Sequence, residues 1–233
     1  MFVLARRGRW AGAGGAAGLG LLTRSAGIVL LPALALLAWR APNRRDALLR
    51  SAFAVPIALV WPLSQWVELG SPFDSVRAQS SHQFARHLSH AGPFGGAWDA
   101  LVSGWHAIQQ LTGGAGVNFF PQATDHPPDY TAAVSLEQLG FAILVAALGV
   151  YAWRRFGASY GVVVLGSLLL PLSVPTQDYP LLSMSRFALA TFPIFLALGD
   201  LGRRPRVAIA ILGCSALLLG VELTRWALYD FVA

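Results

Sequence analysis

Two arginines draw attention because each borders long uncharged stretches. Arg24 separates two apolar runs within the segment LTRSAG (22–27), and Arg186 lies in LSMSRF (182–187), directly before another apolar run. An ionisable group at membrane depth is costly and usually has a partner or a task. A guanidinium can hold a phosphate through two parallel hydrogen bonds, so both side chains are candidates for binding a lipid-linked phosphate. Each is also compatible with anchoring a helix end among lipid headgroups, and Asp178 is a candidate partner for Arg186.

Acids and histidines give a weaker signal. A general base could be among the acids of the predicted outer segments, but no spacing forces two carboxylates together, and a capping or solvated role suits each of them. His82, His87 and His90 are separated by five and three residues, which is not the i, i+4 pair that grips zinc on a helix. The residues therefore identify no certain cofactor and leave a divalent metal open. The acids in question are Asp74, Asp99, Asp125, Asp129, Glu137 and Asp178.

Composition indicates the surroundings in which these groups act. Of 233 residues, 55% are hydrophobic and 12% are charged, about half the charged fraction of an ordinary soluble domain. All 17 basic residues are arginine, and they lie in short clusters between apolar runs rather than along one face. This pattern disfavours nucleic-acid binding and favours a membrane protein. A single cysteine, Cys214, excludes an internal disulfide.

Uncharged runs predict an all-α, polytopic transmembrane helix bundle with about seven spans, in a multi-pass protein of the cell membrane. We expect three transmembrane segments in residues 1–67, an extracytoplasmic loop region in 68–137 and four further segments in 138–233. The first and sixth runs are short for a complete crossing. The seven runs cover residues 10–23, 25–39, 51–67, 138–153, 157–177, 187–199 and 207–221.

Arginine placement sets the predicted orientation. Twelve of the 17 arginines fall in one set of connections, which the positive-inside bias assigns to the cytoplasm. The same bias favours a helical hairpin over one long helix for residues 10–39, with Arg24 at its outer tip. Small residues in the first arm predict close helix packing there. They are Gly12, Gly14, Gly15, Gly18 and Gly20.

Within the loop region, residues 97–111 have apolar side chains at helical spacing. We expect an amphipathic helix on the outer membrane surface, or equally a helix packed against the spans. The segments PFGG (93–96) and TGG (112–114) resemble breakers on either side, and DHPPD (125–129) resembles an extended turn. The apolar face consists of Trp98, Leu101, Val102, Trp105 and Ile108.

Four segments together resemble the PIG-V-like mannosyltransferases, relatives of the second mannosyltransferase of GPI-anchor synthesis within the GT-C class. The segment LLTRSAGIVLLP (21–32) is similar to the family's "TRxxG" helix boundary, and GSPFDSVRAQ (70–79) to its outer "GDP-x-AF-xx-Q" stretch, with Gln79 one residue late. HQFAR (82–86) falls where the family shows "aaWgR". LSMSRFALATFP (182–193) is similar to its late "SMPRY…FP" motif.

The resemblance implies transfer of a sugar, typically mannose, from a polyprenyl-phosphate donor to a lipid or protein acceptor outside the cytoplasm. It implies phosphate-binding roles for Arg24 and Arg186, matching family motif arginines, and for Arg77, Arg86 and Gln79. The catalytic carboxylate is unknown, with Asp74 a weak candidate, since "GDP" is Gly70-Ser71-Pro72 here.

GT-C enzymes carry an acidic motif in a first outer loop that has no counterpart here, so we expect the C-terminal part of a longer enzyme. The residues alone are also compatible with a transporter or flippase for a lipid-linked anion, or with a non-catalytic membrane subunit of a glycosylation complex. The expected partners are the membrane, the donor and the acceptor, without nucleic acid.

Overall fold

The fold was established from a computed structural model that describes residues 1–79, 89, 91–113, 127–175, 181 and 184–227. These residues form helices and no strand. The chain divides into two compact units: residues 1–86 with 149–167, and residues 87–148 with 168–233. The helices are α1 (Phe2–Arg6), α2 (Trp10–Thr23), α3 (Leu30–Trp39), α4 (Arg44–Ser51), α5 (Ala54–Leu69), α6 (Asp74–Gln79), α7 (Pro93–Thr112), α8 (Pro127–Phe156), α9 (Ala158–Ser173), α10 (Met184–Leu189), α11 (Phe192–Leu201) and α12 (Pro205–Ala227), with a 3₁₀ turn at Ser25–Val29.

Three helical segments of the described chain are long and apolar enough to cross a bilayer: Arg44–Leu69, Leu136–Phe156 and Pro205–Thr224. In the last of these, none of the apolar window is buried within the protein. Such a surface would be unfavourable in water, whereas lipid solvates it. The expectation of helices, three of them able to span a membrane, is therefore confirmed for the described residues, and their exposed apolar surfaces are consistent with a membrane protein. Shorter apolar helices cover three more of the uncharged runs, at Ala26–Trp39, Ala158–Ser173 and Phe192–Leu201.

In the first unit, α2 and α3 form an antiparallel hairpin. Gly20, near the end of α2, packs against Leu30 at the start of α3. Trp10 at the start of α2 and Leu37 near the end of α3 line one cavity. The two arms therefore run in opposite directions, as predicted, and Arg24 lies at the turn between them.

Small residues allow this hairpin to pack closely against the end of α4 and against α5. A Cβ added at Gly14 would lie 2.5 Å from the carbonyl oxygen of Ser51, and one at Gly18 would lie 2.8 Å from the Cβ of Ile57. The predicted close packing of the first arm is thus confirmed at these two glycines, which are four residues apart on one helix face. Gly15 would meet only side-chain atoms, at 3.7 Å or more, so it does not need to be glycine for packing.

In the second unit, α7 begins at Pro93, four residues before the predicted start. The interpretation of PFGG as a helix breaker is wrong, because proline suits the first turn, where its missing N–H has no helical partner. Gly96, in the first turns of this helix, lies against the backbone of Leu172, a contact that a Cβ would block. Likewise α8 begins at Pro127, so residues 127–129 are helical and not an extended turn.

The predicted helix is confirmed, with its five large apolar side chains on one exposed face, and its place at the outer membrane surface stays a prediction. The helix buries a stripe of small residues, among them Ala100 and Ala107, and a Cβ on Gly104 would lie 2.5 Å from a methyl group of Leu139 in α8. Its large apolar side chains face outward, with Trp98 67% and Trp105 59% exposed. The helix therefore packs within its unit through small residues and presents tryptophans to its surroundings.

Candidate functional site

The TRSAG segment folds into a compact turn around one carbonyl group, that of Gly20. This oxygen accepts a hydrogen bond from the Thr23 hydroxyl at 2.9 Å and from the Arg24 backbone N–H at 3.3 Å. The Arg24 carbonyl in turn accepts the backbone N–H of Gly27 at 2.8 Å. The Thr23 hydroxyl and the backbone N–H groups of Arg24 and Gly27 thus find their acceptors within the turn.

Gly27 completes the turn by close backbone approach. A Cβ at this position would collide with the carbonyl oxygen of Gly20 and would lie 2.7 Å from the Cα of Leu21. Both obstacles are backbone atoms, which cannot move aside as the end of a side chain can. The Thr, Arg and Gly of the "TRxxG" pattern therefore share one structural purpose here, because all three converge on the last turn of α2.

Arg24 is the residue that this turn presents. Its backbone is extended, with φ −158° and ψ 134°, between α2 and the 3₁₀ turn, and its side chain is exposed. A guanidinium fixed at a helical break can donate two parallel N–H groups to a phosphate, and its charge is permanent. The geometry thus suits the predicted phosphate contact at the tip of the hairpin.

Arg186 lies in the six-residue helix α10 of the second unit, and its side chain is outside the described part of the structure. The two residues just before it are buried: Met184 is 1% exposed and Ser185 is 6% exposed. The Ser185 backbone N–H, in the first turn of α10, donates to Oε1 of Gln138 in α8 at 3.1 Å. A buried amide therefore caps the helix that carries Arg186.

Gln138 is itself almost wholly buried, with 1% of its surface exposed. Its Nε2 donates to Oε1 of Glu137 at 3.4 Å, so both ends of the amide have a partner. Gln138 thus links the Glu137 carboxylate to the first turn of α10. Gln138 was missed as a site residue from sequence because it stands at the start of an apolar run, where a polar residue is expected to meet solvent.

Asp74 and Arg77 lie three residues apart on α6 and form an ion pair, with Oδ1 and Nη1 3.6 Å apart. The Arg77 side chain is 74% exposed and that of Asp74 is 33% exposed, so the pair is largely solvated. A hydroxyl group that gives its proton to Asp74 would have to approach a carboxylate that is already paired with Arg77. Gln79 ends the same helix, and its side chain is not among those described; Arg86 lies outside the described residues.

Metal ligands are not grouped in the part of the chain that the structure describes. No cluster of three or more His, Cys, Asp or Glu side chains occurs there. The histidines considered above, His82, His87 and His90, lie outside the described residues. The structure thus assigns no metal ligand to the Arg24 turn, to α6 or to α10.

Comparison of the chain with protein-family models, curated proteins and solved structures finds no match. The likeness to PIG-V-like mannosyltransferases consequently rests on the four motif segments of the sequence.

Proposed function

We propose that the protein is a multi-pass membrane glycosyltransferase of the GT-C type, with about seven membrane crossings. It transfers a sugar, typically mannose, from a polyprenyl-phosphate donor to a lipid or protein acceptor on the extracytoplasmic side. The observation that carries this proposal is the Arg24 turn. Thr23, Arg24 and Gly27, the residues that define the "TRxxG" pattern, make contacts at the end of α2, and Arg24 is exposed there.

The chemistry follows from what leaves the sugar. The bond between the anomeric carbon and the carrier phosphate breaks, while the acceptor oxygen bonds to that carbon from the opposite face. Negative charge grows on the departing phosphate, and the acceptor hydroxyl gives up its proton to a carboxylate. Arginines pre-positioned at the phosphate lower the barrier by stabilising that charge.

Arg24 is the residue we assign to the leaving phosphate, and Arg186 is the second candidate. Arg77, Arg86 and Gln79 are further candidates for donor binding, and Asp74 is the weak candidate for the base. Support for Arg186 comes from the capped first turn of α10, which fixes the backbone that carries it.

The outward-facing tryptophans of α7 support a membrane-surface role for the loop region. Trp98 and Trp105 lie on the exposed face of an otherwise packed helix, and tryptophan is favoured where lipid meets water. We place this helix at the outer surface, where it would accompany the lipid carrier.

The test is a transfer assay in membranes that contain the full chain, with labelled polyprenyl-phosphate mannose as donor. We expect labelled product, and Arg24→Ala should lower its rate about 100-fold, as loss of one group that stabilises transition-state charge does. Arg24→Lys should recover only part of the rate, because an ammonium cannot donate in a planar fork.

The matched control is Arg45→Ala, which removes an arginine that is also exposed but lies on α4, away from the hairpin tip. Full activity of Arg24→Ala, with protein levels equal to those of the parent, would remove Arg24 from the site. Movement of the labelled donor across vesicles without any new glycosidic bond would replace transfer by transport.

A further inference from the structure

A cavity of about 550 Å³ opens at the end of the hairpin opposite to Arg24. Its walls come from residues 5–10 at the start of the chain, the end of α3 and the turn that leads into α4. Arg6 and Arg40 contribute the cationic part of its lining, and Trp10, Leu37 and Pro42 contribute an apolar part. Guanidinium and apolar surface thus meet in one recess.

The surroundings of this cavity are strongly basic. Residues 1–51 contain seven arginines besides Arg24, and their only acidic residue is Asp46. Asp46 lines the cavity, but its Oδ1 is engaged at 2.8 Å by Nε of Arg50, which is not part of the lining. The seven arginines are Arg6, Arg7, Arg9, Arg40, Arg44, Arg45 and Arg50.

Arg6 contacts an aromatic ring through the face of its guanidinium. Its guanidinium carbon lies 5.5 Å from the centre of the Tyr160 ring, and Tyr160 is itself stacked on Phe2 with 4.3 Å between ring centres. A cation–π contact involves the face of the guanidinium and leaves its N–H edge for an anion. Among the residues that the structure describes, no ion pair engages Arg6 or Arg40.

We propose that this cavity is a binding site for the headgroup phosphate of an anionic phospholipid, with Arg6 and Arg40 as its donors. The positive-inside bias puts this end of the hairpin at the cytoplasmic leaflet, which carries anionic lipid. Basic pockets between membrane helices on that side bind such headgroups. Trp10 and Leu37 supply the apolar surface on which the glycerol and the first acyl carbons rest, a contact that free phosphate cannot use.

The proposal is tested by native mass spectrometry of the full chain in detergent, titrated with phosphatidylglycerol or phosphatidylcholine. We expect one tightly bound phosphatidylglycerol per chain and weaker binding of phosphatidylcholine. Arg6→Gln with Arg40→Gln should weaken phosphatidylglycerol binding at least about fivefold, the effect of one interfacial arginine. Arg7→Gln with Arg45→Gln removes the same charge from the same end of the hairpin without touching the lining, and should change the affinity less than twofold.

Arg40→Gln alone covers the case in which loss of the Arg6–Tyr160 contact unfolds the protein, and it should also weaken binding. Equal losses in the two double variants would show diffuse attraction instead of a site. Unchanged affinity in the cavity variants, or displacement of the lipid by millimolar inorganic phosphate, would overturn the proposal.

Discussion

The two arginine motifs of this chain are held by different physical means. In the first unit, the TRSAG turn is fixed by local contacts: the Gly20 carbonyl accepts hydrogen bonds from the Thr23 hydroxyl and the Arg24 backbone N–H, and Gly27 lies against the backbone of Gly20. In the second unit, the helix that carries Arg186 is fixed by a side chain, the buried amide of Gln138. The Arg24 turn requires that position 27 has no Cβ atom, whereas the Arg186 helix requires the Oε1 atom of Gln138.

This difference decides which substitutions each motif tolerates. A turn that depends on close backbone approach fails when any side chain is added, whatever its polarity. A helix end capped by an amide tolerates a change of shape but not the loss of its acceptor, because a buried N–H without a partner costs free energy. The two motifs should therefore respond in opposite ways to substitutions that add volume and substitutions that remove polarity.

The largest effect is expected for Gly27→Ala. The added methyl collides with the backbone at Gly20 and Leu21, so the turn must open or α2 must lose its last turn. We expect a loss of about 3 kcal/mol in the free energy of unfolding, at the upper end for overpacking. Thermal unfolding of the detergent-solubilised protein would measure it, and transfer activity should fall with the displacement of Arg24.

Gly12→Ala is the matched control, since its Cβ would meet only a Leu4 methyl at the ordinary distance of 3.5 Å. This substitution lies inside a helix and should leave the stability unchanged or raise it by up to about 1 kcal/mol. If the two variants unfold at the same temperature, the turn does not depend on close approach at Gly27.

A smaller effect is expected for Gln138→Leu, which has a similar volume but lacks the acceptor. It strands the Ser185 N–H in a buried position and removes the donor to Glu137, at a cost of about 2 kcal/mol. Gln109→Leu makes the same exchange at an exposed position of α7 and should be nearly neutral. The readout that separates positioning from simple stability is the KM for the donor, which should rise at temperatures where Gln138→Leu remains folded.

Equal melting temperatures for these two glutamine variants would contradict the capping role. If the KM is unchanged while the stability falls, the amide supports the fold and not the placement of Arg186. Either result would reduce the difference between the contacts that position Arg24 and those that position Arg186.

The contrast also explains which features of the fold could be predicted from the sequence. Gly14 and Gly18 could be predicted to form a seam because small residues four apart mark a close-packed face in any membrane helix. The break at Arg24 could be predicted because the first two arginine clusters fall on the same side of the membrane only if residues 10–39 cross it twice. Both inferences use residues that are close together in the sequence.

Other features depend on residues distant in sequence. The partner of the buried Gln138 is Ser185 of α10, which lies 47 residues later in the chain. The sequence around a glutamine at the edge of an apolar run does not identify such a partner. The close approach of Gly96 to the backbone of Leu172 joins residues far apart in the chain, and a Pro-Phe-Gly-Gly segment cannot reveal it. The cationic cavity unites Arg6 with Arg40 only because the hairpin returns to its own beginning.

The smallest effect on stability, and the sharpest test of a catalytic role, is expected for Asp74→Asn. The ion pair with Arg77 is largely solvated, so its loss should lower the free energy of unfolding by no more than about 0.5 kcal/mol. If Asp74 is the base, the rate of sugar transfer should fall by at least about 100-fold, since an amide cannot accept the acceptor proton. Asp99→Asn, on α7, is the matched control and should alter neither quantity. A variant at position 74 that keeps both its stability and its turnover would exclude this carboxylate, and Glu137 would become the next candidate, because its contact with Gln138 links it to the helix that carries Arg186.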